Sequence, residues 1–352
     1  MVNERIRIGI IGCGGIFQIA HLPALKNIEN VEIVGVCDVS EEVAKQIAQY
    51  YSIPSYFSDY KKIAEDKRID AVLITTPEHT HAEIAIHCME NKKHILVEKP
   101  MAKTIEECER MIKVSEKNNV KLQVGFMKRF DPALQKAHEF LNEIGEILLI
   151  NVWMYDSIYH SRYARPFLPP RIFYSDEQIH NCLSDIHLSH MLGMGIHQAD
   201  LINWFGGKVK SVSSIKKEMN GKVATSHIIE FESGAIGSFQ FLRSTQMEWS
   251  EGILIHGTKG SIKVDIPFPY LRRASEVLLC KEGKYIKPIF PGVNQYQLQL
   301  EYFINSILQD KPSYPSGKDG LEAEKLIYAM YYSAETGEKL NISDLEKNKV
   351  YK

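Results

Sequence analysis

The sequence Glu98-Lys99-Pro100 places a lysine directly after the apolar run 95–97. Such a run is typical of a parallel strand that is buried on both faces. Charged residues at the carboxyl end of that strand lie at the edge where open α/β sheets bind ligands. Burial beside a ligand would lower the pKa of Lys99, so that its amine could accept a proton near neutral pH. A strand that runs into a solvated turn has the same composition, and the surroundings must decide between the two.

A glycine-rich turn follows the first strand-like run and opens a helical pattern. Glycines let main-chain N–H groups approach a pyrophosphate at the positive end of the following helix. The dinucleotide-binding fingerprint has a third small residue where Phe17 stands, so this match is incomplete. The turn predicts a dinucleotide site that includes Gly12, Gly14, Gly15 and Ile16.

Asp38 ends the second strand-like run, 24 residues beyond Gly14. This is near the spacing at which an acidic residue hydrogen-bonds the ribose of an adenosine. The alternative is that Asp38 caps the helix that begins at Glu41. A carboxylate here would repel a 2′-phosphate, and no arginine follows it. We therefore predict NAD rather than NADP, with Asp38 and Val39 among its contacts.

The third strand-like run ends in Thr75-Thr76-Pro77, at the same predicted sheet edge as Gly12 and Lys99. We expect these three residues to line the cofactor site, although Thr-Pro also simply terminates strands.

Strand and helix patterns alternate over residues 1–126. The predicted strands are 5–11, 31–37, 70–75, 94–97 and 120–126. The predicted helices are 15–27, 41–51, 80–91 and 104–118, and the last begins with the capping-box pair Thr104 and Glu107. This alternation predicts a parallel sheet with right-handed crossovers, an α/β Rossmann domain that binds NAD.

Bulk composition limits the class of protein. At 352 residues the chain is long enough for two domains. A net charge of -2 argues against a nucleic-acid partner, and no apolar run reaches membrane-spanning length. The first residues lead directly into a strand, without room for a signal peptide. The six cysteines are scattered, as expected for reduced thiols in a cytoplasmic protein.

Residues 127–352 have a different pattern, which predicts an α+β domain with a large, mainly antiparallel open sheet. A predicted helix, 132–143, is followed by the strands 147–155, 209–217, 227–231, 235–242, 252–256, 261–264 and 276–280. We expect the free face of this sheet to pair with another subunit, giving a homo-oligomer (dimer or tetramer). Two closing amphipathic helices, 295–309 and 320–336, could pack back on the first domain.

The long segment 156–182 is rich in aromatic and basic residues. Long segments of this kind in compact domains are usually functional or disordered, and the aromatic content favours order. A flap over the pocket and an oligomer contact are equally consistent with it.

Four histidines, His180, His187, His190 and His197, are close enough in sequence to suggest a shared metal ion. No cysteine or carboxylate stands at ligand spacing in a recognised pattern. We therefore predict no metal, and separate roles for these histidines in a polar pocket.

Several motifs together resemble the glucose-fructose oxidoreductase/inositol dehydrogenase (Gfo/Idh/MocA) family. They are Gly12-Cys13-Gly14-Gly15, His21-Leu22-Pro23, Thr76-Pro77 with His81, Glu98-Lys99-Pro100, Gly125-Phe126-Met127-Lys128-Arg129-Phe130 and Gly195-Ile196-His197-Gln198-Ala199-Asp200. These motifs span about the first 205 residues, and the rest fits the family's sheet domain by pattern.

The resemblance implies an oxidoreductase in which Lys99 is catalytic, with His197 beside the reacting hydroxyl. It implies that the Lys99-Pro100 peptide is cis, and that Glu98 positions Lys99 or the nicotinamide ribose. It adds His81 to the cofactor contacts. It also places three residues toward the substrate or cofactor: Met127, Arg129 and Asp156.

One position departs from the family pattern. Family dehydrogenases that act on inositols commonly carry Asp-x-x-x-His, but Gly193 stands four residues before His197. The catalytic pair must then be Lys99 with His197, or an acid must come from elsewhere, with Asp185 and Asp156 as candidates. For this reason the substrate could differ from myo-inositol.

The leading hypothesis is an NAD-dependent dehydrogenase that oxidises a secondary hydroxyl of a cyclic polyol or sugar. A second hypothesis is a sugar epimerase or lyase that recycles its NAD internally. A third is a ligand-sensing protein without turnover. The presence of both Lys99 and His197 favours an enzyme, and Gly193 keeps the other two open.

Overall fold

The computed structural model of the chain describes residues 5–159, 173, 185–271 and 273–347. These residues form two compact units. Unit 1 contains the described residues 5–127, 173 and 296–321, and unit 2 contains 128–159, 185–271, 273–295 and 322–347. The division into domains at residue 126 stays a prediction.

Unit 1 is built on a six-stranded parallel sheet of order β3-β2-β1-β4-β5-β6. The strands are β1 Ile6–Ile11, β2 Val31–Cys37, β3 Ser55–Phe57, β4 Ala71–Ile74, β5 His94–Val97 and β6 Leu122–Val124. This is the strand order of a Rossmann domain, and the predicted α/β class is confirmed. The order reverses between β1 and β4, where the carboxyl ends of the strands leave a crevice for a ligand.

The helices of unit 1 follow the predicted pattern in part. Those before residue 128 are α1 Leu22–Leu25, α2 Glu41–Tyr51, α3 Lys61–Ala64, α4 His81–Glu90 and α5 Ile105–Asn118. The predicted bounds of α2 are confirmed, and so is the capping box of α5: Thr104 accepts from the N–H of Glu107, whose side chain accepts from the N–H of Thr104. The helix predicted over 15–27 is interrupted, because Phe17–His21 forms a π-helical turn before α1.

Unit 2 contains a nine-stranded sheet of order β14-β13-β12-β11-β7-β10-β9-β8-β15. Its strands are β7 Ile147–Ser157, β8 Val209–Met219, β9 Lys222–Phe231, β10 Ile236–Thr245, β11 Ser250–Gly257, β12 Ser261–Asp265, β13 Glu276–Lys281, β14 Lys284–Ile286 and β15 Leu340–Asn341. The pair β7–β10 is parallel, and the other pairs are antiparallel. A large, mainly antiparallel sheet is thereby confirmed.

Helices cover one part of unit 2 that the sequence pattern left unassigned. The unpredicted elements are α7 Ile186–His190, a π-helical turn at Met191–Gly195, and α8 Ile196–Gly206. The other described helices of the chain are α6 Pro132–Phe140, α9 Gln295–Leu308, α10 Gly317–Thr336 and α11 Ile342–Lys347. Within the described ranges, every helix is too short or too polar to cross a membrane.

The aromatic segment 156–182 lies outside the described residues except for 156–159 and 173, and so do His180 and Cys182.

Candidate functional site

The turn after β1 needs glycine at one position in particular. Gly12 has a φ of +95°, a conformation that residues with a Cβ rarely adopt. An added Cβ would lie 2.6 Å from the main-chain carbon of Thr75 and the nitrogen of Thr76. At Gly14, by contrast, an added Cβ meets nothing within 4 Å. The turn therefore packs closely on the end of β4 at Gly12 and is open at Gly14.

Asp38 fixes this turn from the end of β2. Its Oδ2 accepts from the N–H of Cys13 at 2.8 Å, and its Oδ1 accepts from the N–H of Ser40 at 2.9 Å. Ser40, not Asp38, is the N-cap of α2, because its side chain accepts from the N–H of Val43. The alternative role of Asp38 as that helix cap is therefore wrong.

The residues after β4 are tied to the same edge by their hydroxyls. Thr75 Oγ1 donates to the carbonyl of Gly12 at 2.6 Å. Thr80 Oγ1 lies 2.7 Å from Thr76 Oγ1 and 2.8 Å from the carbonyl oxygen of Pro77. The bond from Thr75 joins the ends of β1 and β4, and the contacts of Thr80 fix the loop that follows β4.

A cleft of about 660 Å³ opens at this edge, a volume typical of a small-ligand site. Of the residues predicted to bind cofactor, seven line it: Gly12, Gly14, Asp38, Val39, Thr75, Thr76 and Pro77. Gly15 and Ile16 open the helical segment after the turn and are not among the described lining residues. The open space at Gly14 and the carboxylate of Asp38 fit a dinucleotide with a free ribose hydroxyl.

Glu98 is buried at the end of β5 and organises the main chain of Lys99. Its Oε1 lies 2.7 Å from His21 Nε2, and its Oε2 accepts from the N–H of Lys99 at 3.1 Å. Burial alone would raise the pKa of Glu98, but the hydrogen bond and charge of His21 and the charge of Lys99 together hold this pKa below its usual value. An added Cβ at Gly125 would lie 3.1 Å from Glu98 Cδ, so Gly125 leaves room for the carboxyl group.

The peptide bond between Lys99 and Pro100 is cis, as the resemblance implies.

His81 holds two loops of the same edge together. Its ring is buried, with Nε2 at 2.8 Å from the carbonyl oxygen of Thr76 and Nδ1 at 2.9 Å from that of Pro100. Burial lowers the pKa of His81, against the opposing effect of the two carbonyl oxygens. Both ring nitrogens therefore face main-chain oxygens, and His81 is not among the described residues that line the cleft.

In unit 2, α8 carries His197 and is anchored by buried charged groups. Asp200 lies one turn after His197, and its carboxylate receives two bonds from Arg129, from Nε at 3.0 Å and from Nη2 at 2.6 Å. The Arg129 guanidinium also lies over the ring of Trp204, 5.5 Å from its centroid. Bidentate pairs of this kind fix orientation as well as position.

A second buried pair involves the residue next to His197. Gln198 Nε2 donates to Glu251 Oε1 at 2.6 Å, and the same carboxylate oxygen is bonded by the amine of Lys128. Burial lowers the pKa of Lys128 and raises that of Glu251, while their mutual attraction opposes both shifts.

Two further residues that were predicted to face the substrate or cofactor, Met127 and Asp156, are buried. Met127 is buried in the 3₁₀ turn Met127–Phe130. Asp156 is buried near the end of β7, where Arg243 Nε lies 3.3 Å from its Oδ2. Asp185, the other candidate acid, caps α7 by accepting from the N–H of Leu188, and it also accepts from the hydroxyl of Tyr331.

Gly193, where the resemblance implies an aspartate, lies in the π-helical turn that precedes α8, and an added Cβ there meets nothing within 4 Å.

The candidate metal histidines have other surroundings. His187 Nδ1 lies 3.1 Å from Glu335 Oε1, and burial lowers the pKa of His190 to about 4. In the part of the chain that the structure describes, no group of three or more histidine, cysteine or acidic side chains is arranged to hold a metal ion.

We call the carboxyl ends of the strands of unit 1, with the segments packed around them, the nucleotide edge. The sequence patterns indicate no role for four groups at this edge. These are His21, Tyr60, His79 and Glu83. His21 belongs to a quoted motif but acquires its partner 77 residues away. Tyr60 follows β3, a strand of three residues, which is too short for a periodic pattern to predict it.

Family models match both parts of the chain. The Gfo/Idh/MocA model described as an oxidoreductase family with an NAD-binding Rossmann fold matches residues 6–126. The model of the C-terminal alpha/beta domain of the same oxidoreductase family matches residues 189–342.

Individual relatives extend over nearly the whole chain. The chain is 28% identical over 358 residues to a myo-inositol 2-dehydrogenase of Thermotoga maritima, covering 97% of this chain and 99% of the relative. It is 27% identical over 331 residues to a scyllo-inositol 2-dehydrogenase (NAD(+)) of Bacillus subtilis, covering 88% of each. The crystal structure of a probable dehydrogenase from Thermotoga maritima matches with a TM-score of 0.78 at 27% identity, over 97% of this chain and 100% of that one. The chain belongs to the Gfo/Idh/MocA oxidoreductase family, and its amino-terminal part is an NAD-binding Rossmann domain.

Proposed function

We propose that the protein is an NAD-dependent dehydrogenase that oxidises a secondary hydroxyl of a cyclic polyol or sugar. The main support is the arrangement at the end of β5, where the buried Glu98, paired with His21, holds the main chain of Lys99. The names of the relatives, two inositol 2-dehydrogenases among them, support the class of substrate.

The proposed cofactor contacts follow four strands of unit 1, β1, β2, β4 and β5. They are Gly12, Gly14, Gly15, Ile16, Asp38, Val39, Thr75, Thr76, Pro77, His81, Glu98 and Lys99. For His81 we propose an indirect contribution, through the main chain of Thr76 and Pro100 that its ring nitrogens face. Bound NAD supplies the oxidant, since its nicotinamide takes a hydrogen with its electron pair from the carbinol carbon.

The proton of the substrate hydroxyl goes to the amine of Lys99 in this proposal. A general base must lie within hydrogen-bond reach of the proton that it removes. Glu98 serves this step by fixing the backbone from which the lysine side chain extends. We propose that His197 hydrogen-bonds the same hydroxyl or relays its proton to solvent. The proposed substrate contacts are His197, Met127, Arg129 and Asp156.

The proposal is tested by following NADH at 340 nm while the protein is offered a panel of inositols, aldoses and sugar acids. We expect at least one compound to give NADH, and Lys99→Ala to lower kcat by about 10²–10⁴-fold while NAD still binds. Lys113→Ala, which removes an exposed lysine of α5, is the matched control and should leave kcat unchanged.

The absence of NADH with every compound would refute a dehydrogenase, and unchanged turnover by Lys99→Ala would refute the role of the lysine. His197→Asn should lower kcat as well, by a smaller factor if His197 only relays the proton.

We also propose that the protein forms a homo-oligomer, dimer or tetramer, through the sheet of unit 2. Strand register places Ile215, Ile228 and Ile236 on one face of three adjacent strands, and they are 72%, 51% and 51% exposed. Light scattering should give a mass above that of one chain, and Ile228→Glu should lower this mass.

A cytoplasmic location fits the buried Cys13 and Cys37, which are thiols outside any disulfide.

A further inference from the structure

Tyr60 and Glu83 join two walls of the cleft in unit 1. Tyr60 follows β3 and Glu83 lies in the first turn of α4, which follows β4. In the sheet, β2 and β1 lie between these two strands. The Tyr60 hydroxyl nevertheless donates to Glu83 Oε1 at 2.9 Å, and both side chains line the cleft. The pair therefore contributes a polar group to a region that no binding motif in the sequence identifies.

The protonation state of Tyr60 fixes the direction of this bond. Burial and the hydrogen bond to Glu83 raise the pKa of Tyr60 to about 12, so the hydroxyl keeps its proton at neutral pH. The phenol donates, and the carboxylate accepts. An ionised carboxylate has about four lone-pair sites, and Tyr60 uses one of them. Glu83 is exposed and keeps acceptor capacity for a further donor in the cleft.

The position of Asp38 indicates which part of a dinucleotide would reach this pair. The acid at the end of the second strand of a Rossmann domain binds the ribose of the adenosine. Val39, the next residue, lines the cleft with 69% of its surface exposed. An exposed apolar side chain beside the ribose site is a surface against which a flat base can pack. The base attached to that ribose is adenine, whose exocyclic amine is a hydrogen-bond donor.

The geometry points to Glu83, oriented by Tyr60, as the group that recognises the adenine amine of NAD. This inference rests on the proposed NAD site and goes beyond it, because it assigns the base specificity to two residues. Glu83 accepts from the amine, and the Tyr60 hydroxyl keeps the carboxylate in place. A base with a carbonyl in place of the amine would bring its oxygen against the carboxylate.

The test compares NAD with nicotinamide hypoxanthine dinucleotide, which carries that carbonyl. Dissociation constants are measured by calorimetry on the full chain, without a substrate for turnover. We expect the protein to bind NAD roughly 10-fold or more tightly than the hypoxanthine analogue, because the analogue loses a hydrogen bond to a charged acceptor.

Variants separate recognition from simple packing. Glu83→Gln should bring the ratio of the two affinities close to one, because a carboxamide can donate to the analogue's carbonyl. Tyr60→Phe keeps the ring and should lower the ratio by a smaller factor. Glu90→Gln, at the other end of α4 and outside the lining of the cleft, is the matched control and should keep the ratio of the unmodified protein.

Equal binding of both dinucleotides by the unmodified protein would overturn the inference and leave the proposed dehydrogenase intact. An unchanged ratio in Glu83→Gln would do the same. Failure to bind either dinucleotide would overturn the NAD site, and with it both proposals.

Discussion

The nucleotide edge of unit 1 and the surroundings of α8 in unit 2 hold their polar groups in different ways. At the nucleotide edge, side chains bond mainly to the main chain: Asp38 to the N–H of Cys13, and Thr75 to the carbonyl of Gly12. Such contacts shape loops whose backbone must approach a ligand. The edge therefore depends on the conformation of the main chain.

Around α8, charged side chains bond to one another instead. Arg129 pairs with Asp200, and Lys128 pairs with Glu251, all four of them buried. Removing one partner of a buried pair leaves an uncompensated charge, which costs far more than the pair contributes. Single substitutions should therefore affect stability most around α8, and backbone geometry should matter most at the nucleotide edge.

The largest effect is expected for Asp200→Ala. Because Arg129 would remain buried without its carboxylate, we expect the free energy of unfolding to fall by about 3–5 kcal/mol, measured by urea denaturation. The double variant Arg129→Met with Asp200→Leu should recover much of that loss.

The surface pair of Lys263 and Asp265 provides the control, because both side chains are about half exposed. Lys263→Ala should cost less than about 1 kcal/mol. A cost of Asp200→Ala no greater than this would contradict the contrast between the two regions.

Gly12→Ala tests the dependence of the nucleotide edge on its main chain. We expect a loss of about 2 kcal/mol in unfolding free energy and weaker NAD binding, since φ is positive and a Cβ would meet the backbone of Thr75. Gly14→Ala is the matched variant, and its open surroundings predict little loss of stability. Similar losses in both variants would show that the close approach at Gly12 is unimportant.

His227, which lies in β9 of unit 2, should make the free energy of unfolding depend on pH. Its ring is buried between the hydroxyls of Ser214 and Thr225, at 2.8 Å from each. Burial, followed by the charge of His187, lowers its pKa from 6.5 to about 3. Between these values the unfolded chain binds a proton that the folded chain does not. The free energy of unfolding therefore has its full value above pH 6.5. It decreases as the pH falls below 6.5, by up to about 1.4 kcal/mol per pH unit.

The measurement is the unfolding free energy of the protein and of His227→Asn between pH 7 and pH 5. The variant should lose part of this slope. Parallel curves for the two proteins would show that His227 does not titrate on unfolding.

The smallest effect is expected for Thr104→Ala, which removes the local cap of α5. Loss of an N-cap side chain costs about 1 kcal/mol, well below the loss expected from breaking the long-range pair at Asp200. Thr104→Ser keeps the hydroxyl and should restore most of the stability. A loss in Thr104→Ala as large as that in Asp200→Ala would remove the distinction between local and long-range contacts.

The features that the sequence predicted well depend on neighbours along the chain. The bounds of α2, the capping box at Thr104 and the buried strand before Glu98 follow from periodicity and capping chemistry within a few residues. The short strand β3 at Ser55–Phe57 was missed because three residues are too few to show a period.

Much of the site could not be predicted, because its partners are distant in sequence. His21 reaches Glu98 across 77 residues, and Lys128 reaches Glu251 across 123. No pattern of residue types specifies which of many acids a buried histidine or lysine will meet. The same holds for Tyr60 and Glu83, which lie 23 residues apart on either side of the cleft.

Local propensity and spacing along the chain are enough to predict the Rossmann domain, the glycine turn with Asp38, and the position of Lys99 at the end of a buried strand. Three contacts are visible only in the folded chain: Glu98 pairs with His21, Asp38 holds the glycine turn and not a helix end, and Arg129 binds Asp200. These contacts form when the chain folds back on itself, since burial forces each polar group to find a partner within reach.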